Sequence, residues 1–275
     1  MLQRRVRNTS TIAAALVLVP ALSGGAAQGE EVVELRPLGP DPHPYTTEQG
    51  RFVVEFTPLD YTHDRRNPER TNVRVDAFEL PLTVKYGATD DLEVQVGADL
   101  FAWERERDAD TSERSRSRGF GDTELRAKYN LWGNDEGETA IAVLPYLGLP
   151  TGSRDVRVGG LYGGSYVPFE WEFADGWAFE WNPGFHAARN AADDGVTFAF
   201  SSEWVLEREL FDGVDAFVEF DYEIAAESGS RWVGAIGAGL TFELNENTVI
   251  EPEVSFGVTR SADTVTGAIH LIRRF

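Results

Sequence analysis

From Gly50 onward, apolar and polar residues alternate with a period of two. In "DLEVQVGADL", Leu92, Val94, Val96, Ala98 and Leu100 fall on one side, and Glu93, Gln95, Gly97 and Asp99 on the other. In "GDTELRAKYNL", Leu125, Ala127, Tyr129 and Leu131 oppose Asp122, Glu124, Arg126 and Lys128. In "GVDAFVEFDYEI", Val214, Ala216, Val218, Phe220, Tyr222 and Ile224 oppose Asp215, Glu219, Asp221 and Glu223. Successive side chains of a strand point to opposite faces, so this pattern predicts strands with one apolar and one polar face. No stretch carries a helical period. Twelve strands are expected, at about 50–60, 72–86, 91–103, 119–132, 138–149, 161–174, 176–187, 195–207, 213–225, 231–244, 247–259 and 263–275.

The links between these segments are sorted by length. After each even strand the link is turn-like: "GATD", "GNDEG", "ADG", "LFDG", "NEN". After the odd strands the links are often longer and more polar, as in "DYTHDRRNPERTN", "ERERDADTSERSRSRG", "PTGSRDVRVGG" and "AARNAADD". Short turns at one rim and long loops at the other are the plan of an all-β, transmembrane antiparallel β-barrel of the outer membrane. A β-sandwich also alternates, but nothing in its packing sorts its loops this way. An even strand number puts both chain ends at the short-turn rim, the periplasmic side.

In a barrel the apolar face meets lipid and the polar face lines the lumen. The polar face is rich in carboxylates: Glu170, Glu172, Glu180, Glu203, Asp215, Glu219, Asp221, Glu223, Glu251 and Glu253, beside Asp122 and Glu124. Arg126 and Lys128 share that face, and Arg74, Lys85 and Arg231 are further possible partners. Uncompensated buried carboxylates are costly, so the lumen must hold water or paired charges. On the apolar face Trp177, Phe179, Trp181 and Phe185 share one strand, and Phe198, Phe200 and Trp204 the next, as expected for an aromatic girdle.

Residues outside the alternating region refine this picture. "MLQRRVRN", the apolar run "TIAAALVLVPAL" and the small residues "SGGAAQ" form the three parts of a secretory signal peptide, assigned to residues 1–27. Residues 28–49 contain "RPLGPDPHPYTT", whose four prolines suit neither a helix nor a ladder. This is an irregular lead-in on the periplasmic side, a linker or a partial plug, ahead of the barrel at 50–275. The formal charge is −21, and removing Arg4, Arg5 and Arg7 with no acid leaves −24. Such a chain is a poor partner for nucleic acid, and a lumen of that sign attracts cations.

The chemistry of sites adds little. With no cysteine there is no disulfide, thiol nucleophile or thiolate metal site. His43, His63, His186 and His270 lie far apart and form no metal-binding spacing, and neither a metal nor another cofactor is expected. No GxSxG occurs. "GGLYGG" lacks the helix that a phosphate loop needs, and "DADTSE" lacks the glycine and spacing of a calcium loop. The one enzymatic alternative is an outer-membrane lipid hydrolase using His186 with Ser201 or Ser202 on the barrel wall.

"GFGDTELRAKYNLWGND" followed by "TAIAVLPYLGLPTG", with "RFVVEFTPLDYTHDR", "DLEVQVG" and "FGVTRSAD", resembles the outer-membrane transporter family labelled "putative MetA-pathway of phenol degradation". The resemblance runs from about Pro44 to Phe275. It implies a barrel assembled into the outer membrane through recognition of a C-terminal aromatic, here Phe275. The family pattern has a tryptophan or tyrosine before the closing Arg-Phe, where this chain has Ile272 and Arg273. The label names a pathway and supplies no binding residues to carry over. The expected function is therefore a non-enzymatic channel or transporter passing a small-molecule solute through a net-negative polar lumen. Its partners are outer-membrane lipid and, during biogenesis, the barrel-assembly machinery. Uptake of hydrophobic or aromatic compounds and a non-transporting structural barrel are the alternatives.

Overall fold

The computed structural model describes residues 36–40, 42–65, 72–135, 137–190 and 195–275. The expected signal peptide and the first part of the lead-in lie outside them. Among the described residues there is no helix.

Fourteen strand segments form one antiparallel sheet closed on itself. They are β1 (Phe52–Asp64), β2 (Val73–Gly87), β3 (Leu92–Asp108), β4 (Arg114–Gly119), β5 (Thr123–Trp132), β6 (Thr139–Leu149), β7 (Tyr162–Tyr166), β8 (Phe169–Ala174), β9 (Trp177–Arg189), β10 (Val196–Phe211), β11 (Val214–Ala225), β12 (Val233–Asn245), β13 (Thr248–Gly257) and β14 (Val265–Arg274). β4 and β5 run in succession along β3, and β7 and β8 along β9, so the wall has twelve staves. The β7–β8 break falls at Val167–Pro168, where proline has no N–H to give the ladder. Val167 donates instead to the Pro183 carbonyl, and the Pro168 carbonyl accepts from Ala142.

Closure is made by β14 pairing with β1, from Val53 opposite Arg274 to His63 opposite Val265. Phe275 and Phe52 exchange both backbone bonds, at 2.7 and 3.2 Å. No sheet edge is then left to face hydrocarbon. The register breaks between Phe56 and Asp60 and between Glu79 and Pro81, so Pro58 and Pro81 each sit at a bulge. The second bulge shifts the phase of β3. Phe101 faces out, whereas Ala98 and Asp99 are both buried.

Two of the expected loops are largely strand. "DYTHD" extends β1, with Thr62 and Asp64 buried. "ERERD" and "RSRSR" form a β3–β4 hairpin that closes at Ala109–Glu113. Asp108 holds that turn by accepting from the Asp110 and Thr111 amides. Alternating charged residues on an exposed wall satisfy the strand period as well as apolar ones do, and composition alone had suggested a loop.

The outer face is apolar and aromatic. Leu125, Tyr129, Trp132, Trp181, Phe185, Phe198 and Trp204 are exposed, while their neighbours Glu124, Arg126, Lys128, Asn182 and His186 are buried inside. The Ser202 hydroxyl on the outer face accepts the indole N–H groups of Trp181 and Trp204 at 2.9 and 3.0 Å. The small apolar core lies inside the short-turn end, where Val53, Val249 and Ile272 pack with Leu38 of the lead-in.

Candidate functional site: the lumen

The lead-in enters the barrel. Pro44, Thr46, Thr47 and Glu48 are almost fully buried, each tied to a strand or turn. Glu93 accepts from the Thr47 amide and hydroxyl. Asn130 donates to the Pro44 carbonyl, and Lys128 to the Tyr45 carbonyl at 3.0 Å. Asn134 and the Asp90 carbonyl hold Thr46. Arg274 bonds Glu48 at 2.8 Å and the Arg36 carbonyl at 2.5 Å. An irregular segment has no ladder of its own, so inside a barrel its carbonyls need donors of this kind from the wall. Proline at 37, 40, 42 and 44 also reduces the number of amides needing acceptors.

The wall from β1 to β6 is charge-paired. Lys85 meets Glu55 at 3.0 Å, Lys128 meets Glu93 at 3.6 Å, and Arg126 bonds Glu124 through two nitrogens at 2.7 and 3.0 Å. Asp122 accepts from the amides of Gly152 and Val158 and thereby anchors the loop after β6. Arg74, a possible lumen partner by sequence, instead faces outward toward Asp76, and Arg231 is exposed in the loop before β12.

The wall from β8 to β13 carries the remaining acids. Together with the lead-in, and with Glu55, Thr57, Asp60, Pro81, Arg126 and His270 on the neighbouring staves, it bounds a cavity of about 730 Å³ in the short-turn half of the barrel. Glu170, Glu172, Glu180, Glu203, Asp215, Glu219, Glu251 and Glu253 line it. So do Glu207 and Phe217, which the sequence reading did not single out. Glu170 accepts from the Tyr45 hydroxyl at 2.9 Å, and burial followed by that carboxylate pushes the Tyr45 phenol well up. Asn182 donates to Glu203, Thr241 to Glu251, and His270 meets Glu253 at 3.4 Å. Asp221 pairs across the ladder with Glu203, and Glu223 with Ser201; neither lines the cavity. Among the described residues, no lysine or arginine forms an ion pair with Glu180, Glu203, Glu207, Glu219 or Glu251.

Two glycines on β12 make this wall possible. The Glu219 side chain lies across Gly237 and the Phe217 ring across Gly239, so a Cβ at either position would overlap them.

Closer to the long loops, Tyr146, Tyr166 and His186 gather on the inner face with Tyr162. His186 bonds Ser201 at 2.6 Å and Tyr146 at 2.7 Å. The histidine–serine pair noted from sequence is therefore formed, but it faces the lumen, and Ser202 is engaged by two indoles. Phe275 is exposed on the outer face at the short-turn rim, with the Arg273 guanidinium 5.3 Å above its ring.

Residues 83–275 match the family model described as "Putative MetA-pathway of phenol degradation". The chain belongs to this family. An outer-membrane channel from Pseudomonas putida F1 shares the fold with a TM-score of 0.66 at 10% identity, covering 87% of this chain and 100% of that one. The transport unit of the autotransporter AIDA-I from Escherichia coli gives 0.51 at 10% identity, over 82% of this chain and 90% of that one. At such identities the likeness establishes the fold, a closed twelve-stave barrel of the outer-membrane type. No curated protein matches the chain. The family resemblance read from "GFGDTELRAKYNLWGND" thus stands, and the Ile272–Arg273 departure has a structural setting. Ile272 packs inward against Val53 and Val249, and Arg273 covers the Phe275 ring.

Proposed function

We propose that the protein is an outer-membrane channel that passes small solutes passively through a net-negative lumen, favouring cations and neutral polar molecules over anions. One observation carries this reading. Glu180, Glu203, Glu207, Glu219 and Glu251 border an open cavity without a lysine or arginine partner among the described residues, whereas Lys85, Arg126, Lys128 and Arg274 are each paired with another carboxylate, Arg126 at the cavity's edge. Carboxylates of one sign along a low-dielectric wall concentrate cations, and acidic linings of this kind select them in pores. Both chain ends then lie at the periplasm, the N-terminal segment directs export, and Phe275 is the mark read by the assembly machinery. Deleting Phe275 is expected to lower the yield of inserted barrel without blocking export.

The test is conductance in planar bilayers. Current should be cation-selective, and replacing Glu180, Glu203, Glu219 and Glu251 together by glutamine should lower the cation-to-anion permeability ratio by roughly tenfold. A silent barrel, or unchanged selectivity, would overturn the proposal.

A second reading, uptake of aromatic compounds, draws on the inward cluster of Tyr146, Tyr162, Tyr166 and His186. Liposomes carrying the protein should then admit phenol faster than empty ones, and Tyr166→Ala should change that rate while leaving ion selectivity intact.

A further inference from the structure

The outer surface of the β1–β4 corner carries a charge pattern unlike the rest of the molecule. Three rows run straight across the ladder near the long-loop rim. The first is Tyr61, Phe78, Trp103 and Arg118; the second is His63, Asp76, Arg105 and Arg116; the third is Arg74, Arg107 and Arg114. All lie on the outward face, because the alternating neighbours Val73, Val75, Ala77 and Ala102 are buried toward the lumen and Tyr61 is exposed. Glu104 and Glu106 alternate to the other face, where Glu106 accepts from Ser115 at 2.7 Å. The three rows thus hold six arginines and one carboxylate, on a chain whose net charge is −21.

Asp76 does not neutralise this surface. It already accepts from Tyr61, His63 and Arg105 at 3.0, 2.9 and 2.7 Å, with Arg74 at 3.5 Å. Among the described residues, Arg107, Arg114, Arg116 and Arg118 have no carboxylate partner. The register places Arg105 directly opposite Arg116 and Arg107 opposite Arg114. Like charges in directly opposed cross-strand positions destabilise a sheet unless an anion lies between them. A cleft of about 60 Å³ opens among Arg74, Asp76, Arg105 and Arg107.

The position along the strand identifies the anion. The Tyr61–Phe78–Trp103 row has the character of an interfacial aromatic belt. The arginine rows lie one and two rungs beyond it, roughly 7 and 14 Å at about 3.4 Å per residue. That is headgroup depth. Guanidinium groups recognise phosphate oxygens bidentately, which an ammonium does not.

We propose that this corner is a binding site for the phosphate groups of a membrane glycolipid headgroup in the leaflet at the long-loop rim. Arg107, Arg114 and Arg116 hold the phosphates, Arg74 and Arg105 flank the cleft, and Trp103 and Phe78 lie against the acyl–headgroup boundary. The site rests on the membrane placement proposed above but not on conduction.

The test uses the full-length protein purified in mild detergent and supplied with bisphosphorylated lipid A. Retained lipid is counted by mass spectrometry of the intact complex. Wild type should retain it, and Arg107→Gln/Arg114→Gln/Arg116→Gln should retain at least tenfold less. Arg154→Gln/Arg157→Gln, in the loop after β6, should behave as wild type. Far-ultraviolet circular dichroism checks that each variant is folded, and bilayer conductance of the triple variant should be unchanged. Dephosphorylated lipid A should not be retained. Equal retention by wild type and triple variant, retention independent of phosphorylation, or equally effective competition by inorganic phosphate alone would overturn the proposal.

Discussion

The two halves of the lumen wall share one sequence pattern and differ in how their charges are used. From β1 to β6, each inward lysine or arginine has a carboxylate within reach, and the lead-in fills the space between them. From β8 to β13, carboxylates face a cavity, where Tyr45, Asn182 and Thr241 donate to Glu170, Glu203 and Glu251 and His270 meets Glu253. The first half behaves as a polar core, in which Glu93, Lys128 and Asn130 hold the plug to the wall. The second is the part of the lumen that can hold water and solute. Alternation alone makes both; the placement of Lys85, Arg126 and Lys128 separates a charge-paired wall from an acidic one.

The largest expected effect lies on the paired side. Lys128 and Glu93 are buried together, and Lys128 also donates to the Tyr45 carbonyl. Lys128→Met leaves a buried carboxylate and an orphaned carbonyl and should cost about 3–5 kcal/mol of unfolding free energy, read from denaturant titration in lipid. Removing residues 36–48 should strip the paired wall of its partners and open the short-turn end. Single-channel conductance should then rise while cation selectivity persists; unchanged conductance would mean that the lead-in does not obstruct the path. Gly239→Val places a side chain where the Phe217 ring lies. It should destabilise by about 1–3 kcal/mol through overpacking, and Gly239→Val/Phe217→Ala should recover part of that loss. The smallest effect lies on the acidic wall. Glu219→Gln removes one like charge and should change stability by under about 1 kcal/mol, toward greater stability. A loss as large as that of Lys128→Met would erase the distinction between the two walls.

Much of the barrel was legible because the signal is local. The twelve staves, their inward and outward faces, and the sorting of turns from loops follow from a period of two and from where it stops. The last expected strand, 263–275, is the stave that closes the barrel against β1. The β3–β4 hairpin was not legible, because "ERERDADTSERSRSRG" has a loop's composition and becomes strand only through pairing. The slip in β3 was hidden for the same reason: it answers Pro81 on the neighbouring stave.

Among the residues that line the cavity, the sequence reading named Glu170, Glu180, Glu203, Glu219 and Glu251 but not Glu207, and it also named Asp221 and Glu223, which lie outside the cavity. It did not say which of them would be neutralised. Arg126 bonds Glu124 two residues away, but Lys128 meets Glu93, Lys85 meets Glu55 and Arg274 meets Glu48 across register choices made by different staves. The inward cluster of Tyr146, Tyr162, Tyr166 and His186 likewise draws on three staves. The entry of the lead-in depended on donors at Lys128, Asn130 and Asn134, far along the chain. By itself, the sequence determined the class of fold and most strand faces, since each of these is written in the alternation of contiguous residues. Only the tertiary structure decided which charges pair, where the lumen is filled and where it stays open, because those depend on closure and register between residues distant along the chain.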